Sequence, residues 1–177
     1  MNITDIKTRT DLAKYFAQLG YKVGAEIGVL SGGYAKVLCE AISHLKYYGI
    51  DPWYDGKNVK HPYWGKYELA MKNLAPYDAT LIKKYSLDAV GDFKDNSLDF
   101  VYIDGDHVFD SVVMDIFAWI KKVKKGGIVA GHDYVSRGKV GVIPAVNSYV
   151  QAHELDLHLT TEPAETISWW FVKKWNT

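Results

Sequence analysis

The chain has 177 residues, 48% of them hydrophobic, with Lys plus Arg and Asp plus Glu balanced at 21 each, enough apolar content for one sizeable core and a single domain over 1–177. Charge balance supplies no overall field toward nucleic acid or an anionic membrane, so a small-molecule partner is favoured. The lone Cys39 excludes an intramolecular disulfide, and neither a signal-like start nor a span-length apolar run is present, so a soluble, unexported, cytoplasmic protein is expected.

In chain order, the first helix is expected over 9–19, closed by Gly20. A short apolar run follows, Val23-Gly24-Ala25-Glu26-Ile27, and it breaks into Gly28-Val29-Leu30-Ser31-Gly32-Gly33-Tyr34 before a helical pattern over 34–45. A strand, a glycine turn and a helix in that order look like a nucleotide-type cofactor site, because bare turn amides and a helix N-terminus face a ligand there, although a strand-to-helix turn that merely needs glycine fits the same letters. The acid at the strand end argues against a dinucleotide, whose pyrophosphate it would repel; an ammonium or sulfonium group would be attracted. Leucine at position 30 stands where the dinucleotide fingerprint wants glycine. S-adenosylmethionine (SAM), cationic and free of phosphates, meets both conditions.

The second strand, expected over 47–51, ends in Asp51-Pro52-Trp53 about twenty residues beyond the turn. A carboxylate there can accept both ribose hydroxyls, and Trp53 can offer a face to an adenine; Asp51 as a turn cap and Trp53 as a core anchor fit the same letters. The stretch 54–65, with Lys57, Lys60, His61, Tyr63 and Trp64, lies just past this strand end, as a lid over the ligand, a mobile loop or a dimer contact. Further strands are expected over 80–84, 100–104, 128–131, 156–160 and 168–173, with helices over 67–74, 109–123 and 143–153. Strands alternating with helices imply a doubly wound, mostly parallel α/β sheet in three layers. The connection Glu162-Pro163-Ala164-Glu165 is too short for a helical crossover, so the seventh strand should run antiparallel to its predecessor. Trp169 and Trp170, adjacent in that strand, must point to opposite faces and cannot form one stacking platform.

Chemistry concentrates at the ends of strands four and five, in Asp104-Gly105-Asp106-His107 and His132-Asp133-Tyr134. Together with the earlier segments, these motifs resemble a small class I SAM-dependent methyltransferase with an O-methyltransferase-like, Rossmann-like core, over nearly the whole chain. The resemblance implies cofactor contacts from Glu26 (on the methionine ammonium), Gly28, Ser31, Gly32, Asp51 (on the ribose), Trp53, Ser86 and Asp104. Ser86, which the resemblance puts at the adenine edge, suits a helix cap equally.

Methyl transfer to a hydroxyl needs an aligned, deprotonated acceptor, and a divalent cation held by carboxylates can chelate that hydroxyl and lower its pKa. The resembled metal-dependent enzymes suggest Asp104, His132 and Asp133 as ligands of magnesium or manganese, although they carry a carboxylate where this chain has His132. That histidine suits a softer ion such as manganese, iron or zinc, or a metal-free general base, with His107 the rival base; the catalytic set is His107, His132 and Asp133. The expectation is methyl transfer to a small hydroxylated acceptor, with sugars as candidates by resemblance, in a homodimer whose partner helps complete the pocket. The alternatives are an RNA or nucleotide methyltransferase using the 54–65 loop, and a non-catalytic SAM-binding protein.

Overall fold

In the computed structural model of the chain, residues 2–53, 65–136, 140–161 and 167–176 are described. Seven strands, β1 (Val23–Ile27), β2 (Lys46–Ile50), β3 (Ala79–Ile82), β4 (Leu98–Ile103), β5 (Val123–Gly131), β6 (His158–Leu159) and β7 (Trp169–Val172), make one sheet ordered β3-β2-β1-β4-β5-β7-β6. The first five pair in parallel; β7 runs antiparallel to both β5 and β6. The architecture is therefore the doubly wound, seven-stranded α/β fold with an antiparallel last strand that the sequence pattern implies. The lid expected at 54–65 and the 162–165 connection fall, but for Gly65, outside the described residues, as do Lys57, Lys60, His61, Tyr63 and Trp64.

Helices α1 (Arg9–Gln18), α2 (Gly33–Ala41) and α3 (Lys66–Leu74) pack on one face; α5 (Phe109–Trp119) and α6 (Val142–Ala152) cover the other, with the short α4 (Ser86–Ala89) beside α5. The Thr8 hydroxyl accepts the Asp11 amide while Asp11 accepts the Thr8 amide, so α1 starts at a capping box, which satisfies two donors that the helix cannot use itself. Trp169 joins the core under α5 and α6 and Trp170 the core under α1 and α2, as strand alternation requires.

Most expected boundaries shift by one or two residues, while two helix ends and the start of β5 move by four or five. The helix over 109–123 ends at Trp119 because the Lys121 and Lys122 carbonyls accept the amides of Asn96, Ser97 and Leu98, which starts β5 at Val123. The register then jumps, Leu98 pairing with Val123 and Phe100 with Ile128, so the polar residues Lys124, Lys125 and Gly126 bulge to solvent inside a strand whose apolar pattern begins only at Ile128. The helix expected over 34–45 stops at Ala41, and His44 turns the chain with φ +57°.

The chain order reverses between β1 and β4, and ligands bind such sheets beyond the carboxyl strand ends at that reversal. Register delivers the motifs there. Ile27 pairs with Ile50 and Ile103, and Ile103 with Gly131, so Gly28, Asp51, Asp104 and His132 are each the next residue along one common edge. Their amides are tied down to the neighbouring strand or its extension: Gly28 to the Ile50 carbonyl (2.8 Å), Asp51 to Ile82 (3.3 Å), Asp104 to Ile27 (2.7 Å) and His132 to Ile103 (3.1 Å).

Candidate active site

The glycine turn is held from below by Asp51. Its Oδ2 accepts the amides of Val29 (3.0 Å) and Leu30 (2.9 Å), and its Oδ1 accepts that of Trp53 (2.8 Å). A carboxylate has about four acceptor sites, so one remains for a ribose hydroxyl while all three turn bonds persist. Asp51 thus is the turn cap, and any ribose contact comes on top of that work. The Trp53 indole donates to the Leu30 carbonyl at 2.7 Å and meets Tyr67 edge-on with ring centroids 4.9 Å apart. Only 7% exposed, Trp53 is an anchor for the turn rather than an open face for a base.

Gly28 has φ +88°, and a Cβ there would fall 2.1 Å from the Asp104 carbonyl oxygen. No other residue lets β1 and β4 pass so closely. Gly32, also with positive φ, caps α2, and the Ser31 carbonyl accepts from the Asn73 side chain at 2.9 Å. Leu30 is 43% exposed, so its side chain stands outward beside the turn.

Glu26 is buried, and its Oε2 accepts the Tyr47 hydroxyl at 2.6 Å. Burial lifts its pKa from 4.5 to about 8, against the lowering effect of that hydrogen bond, and the charge of Asp104 adds to the rise. In the ligand-free chain Glu26 is therefore largely a neutral acid near pH 7, which the sequence alone did not indicate. The native state holds this proton more tightly than the unfolded chain does. The resulting stability is complete below pH 4.5 and is lost as pH rises through about 8, following the linkage between proton uptake and folding. Glu26→Gln, which cannot titrate, should gain on wild type from pH 5 to pH 9; a melting-temperature difference that does not grow across that range would contradict it.

The Ser86 hydroxyl donates to the Asp115 carboxylate and accepts from the Trp119 indole at 2.8 Å, which leaves one acceptor lone pair. Burial lifts the Asp115 pKa to about 6. These bonds tie α4 to α5, and a contact of the Ser86 hydroxyl with an adenine edge would come through the remaining lone pair.

At the ends of β4 and β5 the structure gathers four side chains. His107 Nε2 lies 3.0 Å from Asp133 Oδ2 and 3.6 Å from Asp104 Oδ1, and His132 Nδ1 lies 3.2 Å from Asp133 Oδ2 and 3.9 Å from Asp104 Oδ1. The Asp104 carboxylate raises the His107 pKa, opposed by burial. Asp133 adopts φ +53°, and the Trp169 indole donates to the His132 carbonyl at 3.2 Å, so a left-handed residue and a core tryptophan together aim this corner. The Asp106 side chain turns away, accepting from the Val108 amide and the Ser111 hydroxyl at the start of α5.

The geometry fits a divalent cation. Among the described residues, one ligand atom each from Asp104, His107 and Asp133 lie within 4.8 Å of one another. His132 Nε2 is buried without a hydrogen-bond partner, and His107 Nε2 makes no well-aligned hydrogen bond although Asp133 Oδ2 lies 3.0 Å away, a state that costs free energy unless something else meets the lone pair or proton. This set differs from the expected one in a single member, His107 replacing His132, which flanks it. The signal was present in the sequence as Asp-x-x-His after β4, but only the fold turns that histidine inward.

Comparisons with known proteins bear on the family and the fold. A family model described as a methyltransferase domain matches residues 25–134, which hold the turn, Asp51 and the whole cluster. An uncharacterized protein of Acanthamoeba polyphaga mimivirus is 31% identical over 135 residues, taking in 71% of this chain and 58% of that protein; the chain thus spans less than two thirds of that relative's length. An O-methyltransferase from Bacillus cereus in complex with S-adenosylhomocysteine (SAH) superposes with TM-score 0.70 at 15% identity, covering 93% of this chain and 80% of that one. The Streptomyces achromogenes O-methyltransferase TomG, involved in tomaymycin synthesis and solved with SAM, gives TM-score 0.68 at 14% identity over 93% and 79%. At such identities these likenesses show a shared fold. Among the described residues, no helix is long and apolar enough to cross a membrane.

Proposed function

The chain belongs to the methyltransferase-domain family, and from that premise we propose that it transfers a methyl group from SAM to a hydroxyl oxygen of a small acceptor. One observation carries the proposal: a strand-end acid and a glycine turn stand on the same sheet edge as a histidine–carboxylate cluster, one residue past paired strand positions. When bound, SAM supplies an electrophilic methyl on sulfonium. The chain must then hold the cofactor, hold the acceptor in line and take a proton from it.

Gly28 and the Asp51-capped turn present backbone for close approach of the cofactor. Glu26 meets the methionine ammonium, giving up its proton as the cation arrives. Asp104, His107 and Asp133 would hold a divalent cation, with His132 beside them; such an ion supplies Lewis acidity that makes a chelated hydroxyl easier to ionise. His107 Nε2 faces the carboxylates rather than solvent, which favours His107 as a ligand and leaves acceptor deprotonation to the cluster as a whole. The acceptor class is a hydroxylated small molecule, sugars among the first to screen, and the chain is proposed to act as a cytoplasmic homodimer.

The decisive experiment is calorimetric titration with SAH, followed by radiolabelled methyl transfer from SAM to a panel of hydroxylated acceptors, with and without magnesium or manganese. Saturable SAH binding and transfer to at least one acceptor are expected; a folded chain that binds no SAH would refute the proposal. Because Glu26 is largely protonated before binding, titrations at pH 7 in buffers of different ionisation enthalpy should show release of a fraction of a proton per SAH bound. That release should vanish in Glu26→Gln, and a buffer-independent heat in wild type would remove the ammonium role.

A further inference from the structure

Arg9 is the first residue of α1, where the Thr8–Asp11 capping box fixes its backbone. Its guanidinium carbon lies 5.2 Å from the centroid of the Tyr34 ring, and the Tyr34 hydroxyl donates to the Arg9 carbonyl at 3.0 Å. Tyr34 is the second residue of α2, directly after Gly32 and Gly33, and its ring packs 4.4 Å from that of Tyr102, two residues before Asp104. Arg9 is thus fastened over the helix start that leaves the glycine turn, at the strand edge where the cofactor is proposed to lie. Its charge reaches inward too, favouring the ionised form of Glu26.

The two ends of an α-amino acid carry an ammonium and a carboxylate a few bonds apart. Glu26 answers the first, and nothing assigned so far answers the second. We propose that Arg9 binds the α-carboxylate of the methionine part of SAM, opposite Glu26 on the ammonium, so that the pair reads the zwitterion as a unit; this assignment rests on the methyltransferase reading above. A guanidinium offers five N–H donors in a planar fork that matches a carboxylate bidentately, enough to add this ligand to the contacts Arg9 already makes. Stacking on Tyr34 holds the fork in place before the ligand arrives, which lowers the ordering cost of binding.

The test compares SAH with its decarboxylated analogue, which keeps the amine and lacks the carboxylate, on wild type, Arg9→Met and Arg9→Lys, with melting curves as a fold check. Arg9→Met should weaken SAH binding about ten- to a hundred-fold, as expected for a lost charge-assisted hydrogen-bonded pair, and change binding of the analogue less than about two-fold. Arg9→Lys should recover part of the SAH affinity, a point charge replacing the fork. Equal weakening of both ligands by Arg9→Met would show that Arg9 acts only through the packing of α1, and unchanged SAH binding would likewise overturn the assignment. A folded wild type that binds neither ligand would overturn the methyltransferase reading, and this assignment with it.

Discussion

Gly28→Ala is expected to abolish SAH binding and to lower the melting temperature by roughly 6–12 °C, corresponding to about 3 kcal/mol in a domain of this size. The new Cβ would sit 2.1 Å from the Asp104 carbonyl oxygen and 2.7 Å from the Gly105 Cα, all backbone, at φ +88°. Strain at positive φ and overpacking each cost about 1–3 kcal/mol. Relief requires β1 and β4 to separate at the point where Asp104 enters the site. Gly20→Ala is the control: φ is +77° but nothing lies within 4 Å of the added Cβ, so it should show the conformational cost alone, about 1 kcal/mol, with SAH affinity intact. Equal melting temperatures for the two variants would mean that the close approach of the strands is not what Gly28 serves.

Asp133→Asn should reduce methyl transfer by about a hundred-fold or more while leaving SAH affinity within about three-fold of wild type. Asparagine is the informative replacement because it tolerates the left-handed backbone at φ +53°, where alanine would add strain. Removing the charge deprives His107 and His132 together of their nearest carboxylate, at 3.0 and 3.2 Å. A general base or an ion-binding carboxylate accounts for the loss either way; added magnesium or manganese separates the two. Metal-stimulated turnover in wild type that is absent in Asp133→Asn marks the carboxylate as a ligand. Turnover indifferent to metals and chelators in both would assign Asp133 to proton handling alone, and turnover undiminished in Asp133→Asn would remove it from the chemistry.

Much of the fold was legible because strands buried on both faces read as continuous apolar runs, each ended by a glycine or an acid. The apolar run Val23–Ile27 coincides with β1, and the runs that end near Ile50, Ile103 and Gly131 stop at the sheet edge that carries the site. Where polarity interrupts a strand the apolar pattern misses it, as at Lys124 and Lys125, whose place in β5 depends on the Lys121 and Lys122 carbonyls just before them pairing with Asn96 and Ser97, more than twenty residues back in the chain. The short α4 was foreshadowed only by a capping pattern at Ser86, since four residues carry no helical periodicity.

Within the site, the sequence by itself determined which residue types stand at the strand ends: an acid before the glycine turn, Asp51 about twenty residues later, and the histidine–carboxylate pairs after β4 and β5. That information is local, carried by spacing and turn chemistry. Only the tertiary structure decided their partners and charge states. Tyr47 caps Glu26 from the next strand, Asp115 and Trp119 claim Ser86 from a helix about thirty residues on, Asp51 turns back to hold the glycine turn, and His107 swings toward Asp133. Burial and hydrogen bonding fix a carboxyl group's proton and a hydroxyl's availability, and both arise from contacts between segments far apart in the chain, which no local spacing encodes.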